Sequence, residues 1–289
     1  MSRKPISLQK AEEKVRISLQ KKDVKDAPTC AVGLALDVSG SMDTNYRTGM
    51  VSDVVTRMLA LAKTFDDNGE MDMWIFNNNS KKLDNATEDN YERFVEEQII
   101  DAGNLGGGTT YSPCFKNIND FYFPTDGNGH PVVTKTVDVT TEKKVPVTTT
   151  VEVPKSGLFG KLFGSKETKT VTEYRIETIT EKKVVIDEEA TANGEINPAF
   201  VIFLTDGENE SGDNARANQI LQKSEKNPIF WLMVGVGKDV TKFDFIRNVA
   251  NSHPNAAYLQ FDNLDIDDET LYDNAISQKF IDWAESVKA

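Results

Sequence analysis

The sequence predicts an α/β fold, a doubly wound and mostly parallel sheet flanked by helices. Three observations predict it. Continuous apolar runs of strand length, CAVGLALD at 30–37, AFVIFLT at 199–205 and PIFWLMVGV at 228–236, read as strands covered on both faces. Stretches with helical spacing of apolar residues separate them. Two of the runs end in an acidic turn, Asp37 and Asp206, at the edge where open α/β sheets bind their ligands.

The elements follow in order. Residues 1–28 carry ISLQK twice, at 6–10 and 17–21, each copy alternating apolar and polar residues. That alternation predicts two short strands in a hairpin-like leader. The first central strand, 30–37, precedes a helix over 48–65, where Met50, Val54, Met58, Leu61 and Phe65 fall near one face. A strand is expected at 71–76, a helix at 88–100, a glycine-rich turn at 106–108, and a helix at 112–121 opened by Ser-Pro. After the strand at 199–205 come a helix at 213–226, the strand 228–236, a helix at 242–251 and a strand at 256–261. One long helix over 268–287 closes the chain. Alternating strands and helices imply right-handed crossovers in one sheet.

Residues 131–187 break this rhythm. They are rich in Thr and Val, alternate with charges, and lack helical periodicity, the pattern of a long β-ribbon inserted into the host domain. The insertion carries 10 basic and 8 acidic residues, a net of +2, and leaves the remainder of the chain at −15. The expected organisation is therefore a leader at 1–28, a domain made of 29–130 and 188–289, and a ribbon at 131–187.

The total net charge of −13 argues against nucleic acid as a partner, since a phosphate backbone would be repelled. Cys30 and Cys114 lie far apart and read as buried small hydrophobes. The first thirty residues hold no apolar stretch of signal h-region length, and no run reaches the length of a membrane span, so a cytoplasmic location is expected. With two histidines and no close His spacing, zinc does not fit.

In DVSGS at 37–41, Asp37, Ser39 and Ser41 fall on alternate positions around Gly40, so a loop over the strand end can aim all three at one centre. Asp206 joins them from the LTDG turn, and the GGGTT turn at 106–110 supplies a threonine. Two carboxylates and three hydroxyls are all hard oxygen donors, a set suited to Mg²⁺ or Mn²⁺. DVSGS alone could be a capped helix start; GGGTT and LTDG, one per crossover, argue against that.

These three motifs, in this order on an α/β pattern, resemble a von Willebrand factor A (VWA) domain with a metal-ion-dependent adhesion site. The resemblance covers roughly 29–130 and 188–285 and implies a Rossmann-like VWA fold. It also implies a metal set of Asp37, Ser39, Ser41, Thr109 and Asp206, with Thr110 the alternative to Thr109, and a protein partner whose Asp or Glu carboxylate completes the shell. The ISLQK repeats are similar to the start of tellurium-resistance (Ter) proteins, which suggests a stress-response or tellurium-resistance type of assembly.

The function expected is thus a non-enzymatic, metal-dependent protein-binding module. The alternatives are a metal-dependent phosphohydrolase on a similar sheet, or a structural component of a larger assembly. Against the hydrolase, Ser39 stands where a dehalogenase-type site has its second acid, and neither a P-loop nor GxGxxG at the first strand is present. The ribbon tip, SGLFGKLFGS, offers Leu158, Phe159, Leu162 and Phe163 for partner contact, with a membrane surface as the alternative.

Overall fold

A computed structural model describes residues 6–154 and 166–287. In chain order the elements are α1 (Leu8–Lys21), β1 (Ala31–Asp37), α2 (Asp43–Arg47), α3 (Met50–Phe65), β2 (Asp72–Phe76), β3 (Ser80–Lys82), α4 (Tyr91–Val95) and α5 (Ser112–Tyr122). There follow β4 (Thr134–Pro154), β5 (Lys166–Ile186), α6 (Glu188–Asn193), β6 (Ala199–Thr205), α7 (Asn214–Ser224), β7 (Ile229–Val236), α8 (Asp244–Ser252), β8 (Ala256–Phe261), α9 (Asp268–Ala275) and α10 (Gln278–Ser286). The chain divides into two compact units, Met1–Pro131 with Glu195–Ala289, and Val132–Gly194.

The larger unit is built on a six-stranded sheet of order β3-β2-β1-β6-β7-β8. All neighbours are parallel except β3, a short antiparallel edge strand that sequence alternation did not reveal because it has only three residues. The apolar runs are buried along their length because both faces of the sheet are covered. Successive residues point to opposite faces. Phe200, Ile202 and Leu204 of β6 pack in one core with α1, α3, α9 and α10, while Val201 and Phe203 pack in the other with α5, α7 and α8. Phe203 is the centre of the second core, stacked on Phe76 at 4.4 Å between ring centroids and in contact with Tyr111 at 4.9 Å and Phe115 at 4.7 Å.

The leader is a helix, not a hairpin. The ISLQK copies recur every 11 residues, which is three helical turns, so Leu8, Ala11, Val15, Ser18 and Leu19 line one buried face. Local alternation within each copy concealed the longer period. Ser18 Oγ donates to Asp273 Oδ1 at 2.7 Å, and Lys21 bonds Glu269 and Asp273, fixing α1 against α9.

The closing segment is two helices. Between them Ile276 leaves helical geometry, and Ser277 Oγ accepts from Phe280 N at 3.3 Å as the cap of α10. The helix expected at 88–100 is shorter, running as α4 and then widening into a π turn over Glu96–Ile100. The cysteines are both free and buried. Among the described residues, no helix is long and apolar enough to cross a membrane.

In the smaller unit, β4 and β5 pair antiparallel over 21 residues each, from Thr134↔Ile186 to Pro154↔Lys166. Its base is closed by α6, which Asp187 caps by accepting from Ala190 N, and Lys135 pairs with Asp187 at 3.1 Å. Leu158, Phe159, Leu162 and Phe163 lie outside the described residues.

Candidate metal centre at the carboxyl edge of the sheet

The chain runs outward from β1 to β2 on one side, and from β6 to β7 and β8 on the other. Neighbouring β1 and β6 are therefore the place where strand order reverses, the position at which α/β sheets open a crevice. Their register sets Leu36 beside Leu204, so Asp37 meets the turn at Thr205–Asp206 although 168 residues separate Asp37 from Thr205.

Asp37 is fully buried and held at three points. Its Oδ1 accepts from Ser39 N at 2.8 Å, its Oδ2 from Thr205 Oγ1 at 2.6 Å, and its carbonyl oxygen from Tyr46 Oη at 2.9 Å. After Ser39 the backbone tightens into a 3₁₀ turn over Gly40–Met42. That turn brings Ser41 back toward Ser39, with 3.2 Å between hydroxyls, and Ser41 Oγ donates to Asp206 Oδ1 at 2.7 Å. Asp37, Ser39, Ser41 and Asp206 thus form one hydrogen-bonded group.

The glycine turn joins this group. Gly40 N donates to Gly107 O at 3.3 Å, and Gly106 N to Val38 O at 2.7 Å. Gly106 and Gly107 have φ of +117° and +92°, a backbone that only glycine adopts without strain. A Cβ placed on Gly207 would lie 3.2 Å from Thr109 Oγ1 and 3.8 Å from Asp37 Oδ2, so the Thr109 hydroxyl lies over the same small space as the Asp37 carboxylate. Thr110 instead donates its N–H to Asn77 O at 2.8 Å.

Sequence reasoning missed the residues that hold these loops. Asn77 Nδ2 donates to Gly106 O at 2.8 Å, and Asn78 Oδ1 accepts from Gly108 N at 2.6 Å. Asn78 Nδ2 also donates to Glu210 Oε1 at 3.0 Å, tying the glycine turn to the segment after Asp206. Glu210 is exposed yet anchored by this bond. Tyr111 Oη donates to Gly207 O at 2.7 Å, and Asp213 accepts from Ser112 N at 2.8 Å, fixing the start of α5 to the Asp206 loop. The signal for Asn77 and Asn78 was the NNNS run following a strand; that for Thr205 was its place just before Asp206.

Burial dominates the electrostatics. It pushes the Asp37 carboxyl up to about 6, against the hydrogen bonds from Ser39 and Thr205 that lower it. The Asp206 carboxyl is also raised, chiefly by burial, with Ser41 and Lys242 pulling the other way. Among the described residues, neither carboxylate forms an ion pair with a Lys or Arg. Two inward carboxylates without an ion-pair partner among the described residues, flanked by hydroxyls, form a donor set that fits a hard divalent ion.

The family described as "vWA found in TerF C terminus" (vWA-TerF-like) matches residues 29–289. An uncharacterized protein of Bacillus subtilis, YcbR, is 27% identical over 288 residues, covering 98% of this chain and 88% of its own. Among solved structures, proximal thread matrix protein 1 from the mussel byssus, one form of which has a zinc-occupied MIDAS motif, is 15% identical with a TM-score of 0.47. That match covers 87% of this chain and 48% of the mussel chain, so this chain spans about half its length. The manganese-loaded TRAP protein of Plasmodium vivax is 13% identical, with a TM-score of 0.43 and coverage of 87% and 73%. The Ter likeness thus resides in the α/β domain, beyond the ISLQK repeats, and with its sheet order and its DVSGS, GGGTT and LTDG loops at one edge the chain belongs to the vWA-TerF-like family.

Proposed function

We propose that this chain is a non-enzymatic protein-binding module that works through a divalent cation, Mg²⁺ or Mn²⁺, held by Asp37, Ser39, Ser41, Thr109 and Asp206. The observation that carries the reading is the convergence of these oxygens over the β1–β6 seam, with a buried carboxylate at its floor. When bound, the ion supplies an electrophilic centre for an Asp or Glu carboxylate of the partner. The chain's own residues do the rest. Asp37 and Asp206 supply negative charge, the hydroxyls orient without neutralising further, Ser39 N and Thr205 keep the Asp37 carboxylate from turning, and Tyr46 holds its backbone carbonyl. Both Asp37 oxygens are engaged below the surface, which suits a fixed anchor and not a nucleophile.

In this reading 29–130 and 188–289 form the VWA domain and 131–187 its inserted ribbon. The buried, free thiols suit a reducing cytoplasm, and the family suits a stress-response or tellurium-resistance type of assembly.

Calorimetric titration of the metal-stripped chain with Mg²⁺ and Mn²⁺ tests the site. Saturable binding is expected for the native chain and none for Ser41→Ala; equal binding by both would place the ion elsewhere. Asn78→Ala frees the glycine turn without touching the oxygens, so affinity should fall about tenfold, the scale of other outer positioning contacts. An unchanged Kd in that variant would show that the turn holds itself.

A further inference from the structure

The ribbon stands outside the function just described. A two-stranded ribbon is marginal by itself in water, because its faces lack cover and its outer edges lack partners. Here the exposed large apolar side chains are concentrated on it: Tyr174 is 70% exposed, Val184 65% and Ile176 58%.

The register sorts its faces. Each pairing joins residues of equal parity, so Pro146, Thr148 and Thr150 of β4 share a face with Thr170, Thr172, Tyr174 and Ile176 of β5. This stretch has no charge. Lys144 bounds it at one end of β4 and Glu152 at the other, each four residues from Thr148. The opposite face mixes Val147, Val151 and Val171 with Lys143, Glu173 and Arg175.

We infer that the uncharged face packs against the same face of a second copy of this chain, about a two-fold axis through the Thr148–Thr172 pair. Two arguments select that occupant. Under this axis β4 lies antiparallel over its copy, which sets Lys144 of each chain opposite Glu152 of the other, so the strip is complementary to itself in charge. The ribbon is the part of this acidic chain that a second copy does not repel: β4 carries three basic and three acidic residues, β5 five and four, whereas the chain outside 131–187 has a net charge of −15. The axis also fixes the size of the contact. Centred on Thr148–Thr172, the two copies overlap over 142–154 and 166–178, a face about 43 Å long and about 10 Å wide, so pairing buries roughly 860 Å² in total, the size of a weak, reversible interface.

Sedimentation equilibrium of the full chain tests the inference. The native chain should dimerise reversibly, with the dimer fraction rising with concentration. Tyr174→Glu, a charge in the middle of the strip, should raise the dissociation constant about thirtyfold or more. Val147→Lys, on the opposite face, should leave it unchanged. A second measurement does not disrupt the ribbon. Stacked sheets lie about 10 Å apart, too far for a disulfide at the axis but within reach of a bismaleimide. Because Cys30 and Cys114 are buried, Thr148→Cys should crosslink two chains efficiently and Thr149→Cys poorly. A native chain that stays monomeric even at about 1 mM, where a weak reversible interface still forms, overturns the inference. So does dissociation by Val147→Lys, or equal crosslinking from both faces.

Discussion

Replacing Asp37 by Asn should make the metal-free protein more stable above pH 6 and abolish its response to Mg²⁺. The Asp37 carboxyl is pushed up to about 6 in the folded chain, about two units above its unfolded value. The folded state therefore binds that proton more tightly than the unfolded state does. Metal-free stability from this group is then greatest below about pH 4, falls between pH 4 and 6, and is fully lost above 6. At pH 7.5 the buried charge costs the empty fold about 3 kcal/mol. Asn removes the charge and retains the contacts, since its oxygen can accept from Ser39 N while Thr205 Oγ1 turns its hydrogen toward Gly207 O.

Chemical denaturation with chelator should show Asp37→Asn gaining up to about 3 kcal/mol at pH 7.5 and much less at pH 4.5. The difference between the two proteins separates Asp37 from Asp66, whose carboxyl burial also raises. Added Mg²⁺ should stabilise only the native chain. A variant less stable than native in chelator at pH 7.5 would mean that Asp37 is a structural acceptor and no cation is needed above it.

Phe203→Ala is the second large effect. Phe203 is fully buried, and its ring meets those of Phe76, Tyr111 and Phe115 beneath the glycine turn. No neighbouring element can close into the space, because all three partners are fixed in β2 or at the start of α5. The loss should be about 3–5 kcal/mol, read as a fall of about 10 °C or more in the thermal midpoint. A loss below about 1 kcal/mol would show that the second core collapses freely and does not brace the site.

The sequence's long apolar runs revealed the sheet because burial on both faces leaves no room for polar residues in β1, β6 or β7 before their last positions. The site was legible for a related reason. Asp37 and Asp206 interrupt apolar runs at the points where the strands end, and Ser39 and Ser41 alternate around a glycine. What could not be read depended on distant partners. The face of α1 is defined by α3 and α9, so its alternating pentapeptides suggested strands until packing chose the 11-residue period. Ser277 interrupts the closing segment with an ordinary residue whose capping role shows only in the folded backbone. Asn78 is one more asparagine in a polar turn until Gly108 and Glu210 arrive on either side of it.

The seam between β1 and β6 also dictates a schedule of synthesis. β2 emerges soon after β1 and covers one of its edges, but between β2 and β6, the partner for the other edge, stand α4, α5, the ribbon and α6. Asp37 and Thr205 are 168 residues apart, so at about 5–20 residues per second the ribosome takes roughly 8–35 s to deliver the second edge. Through that interval β1 is a bare apolar strand, open to pairing with any neighbouring nascent chain. Lengthening the insertion prolongs that exposure in proportion, so yield of correctly folded chain in the cell should respond to insertion length more steeply than equilibrium stability does.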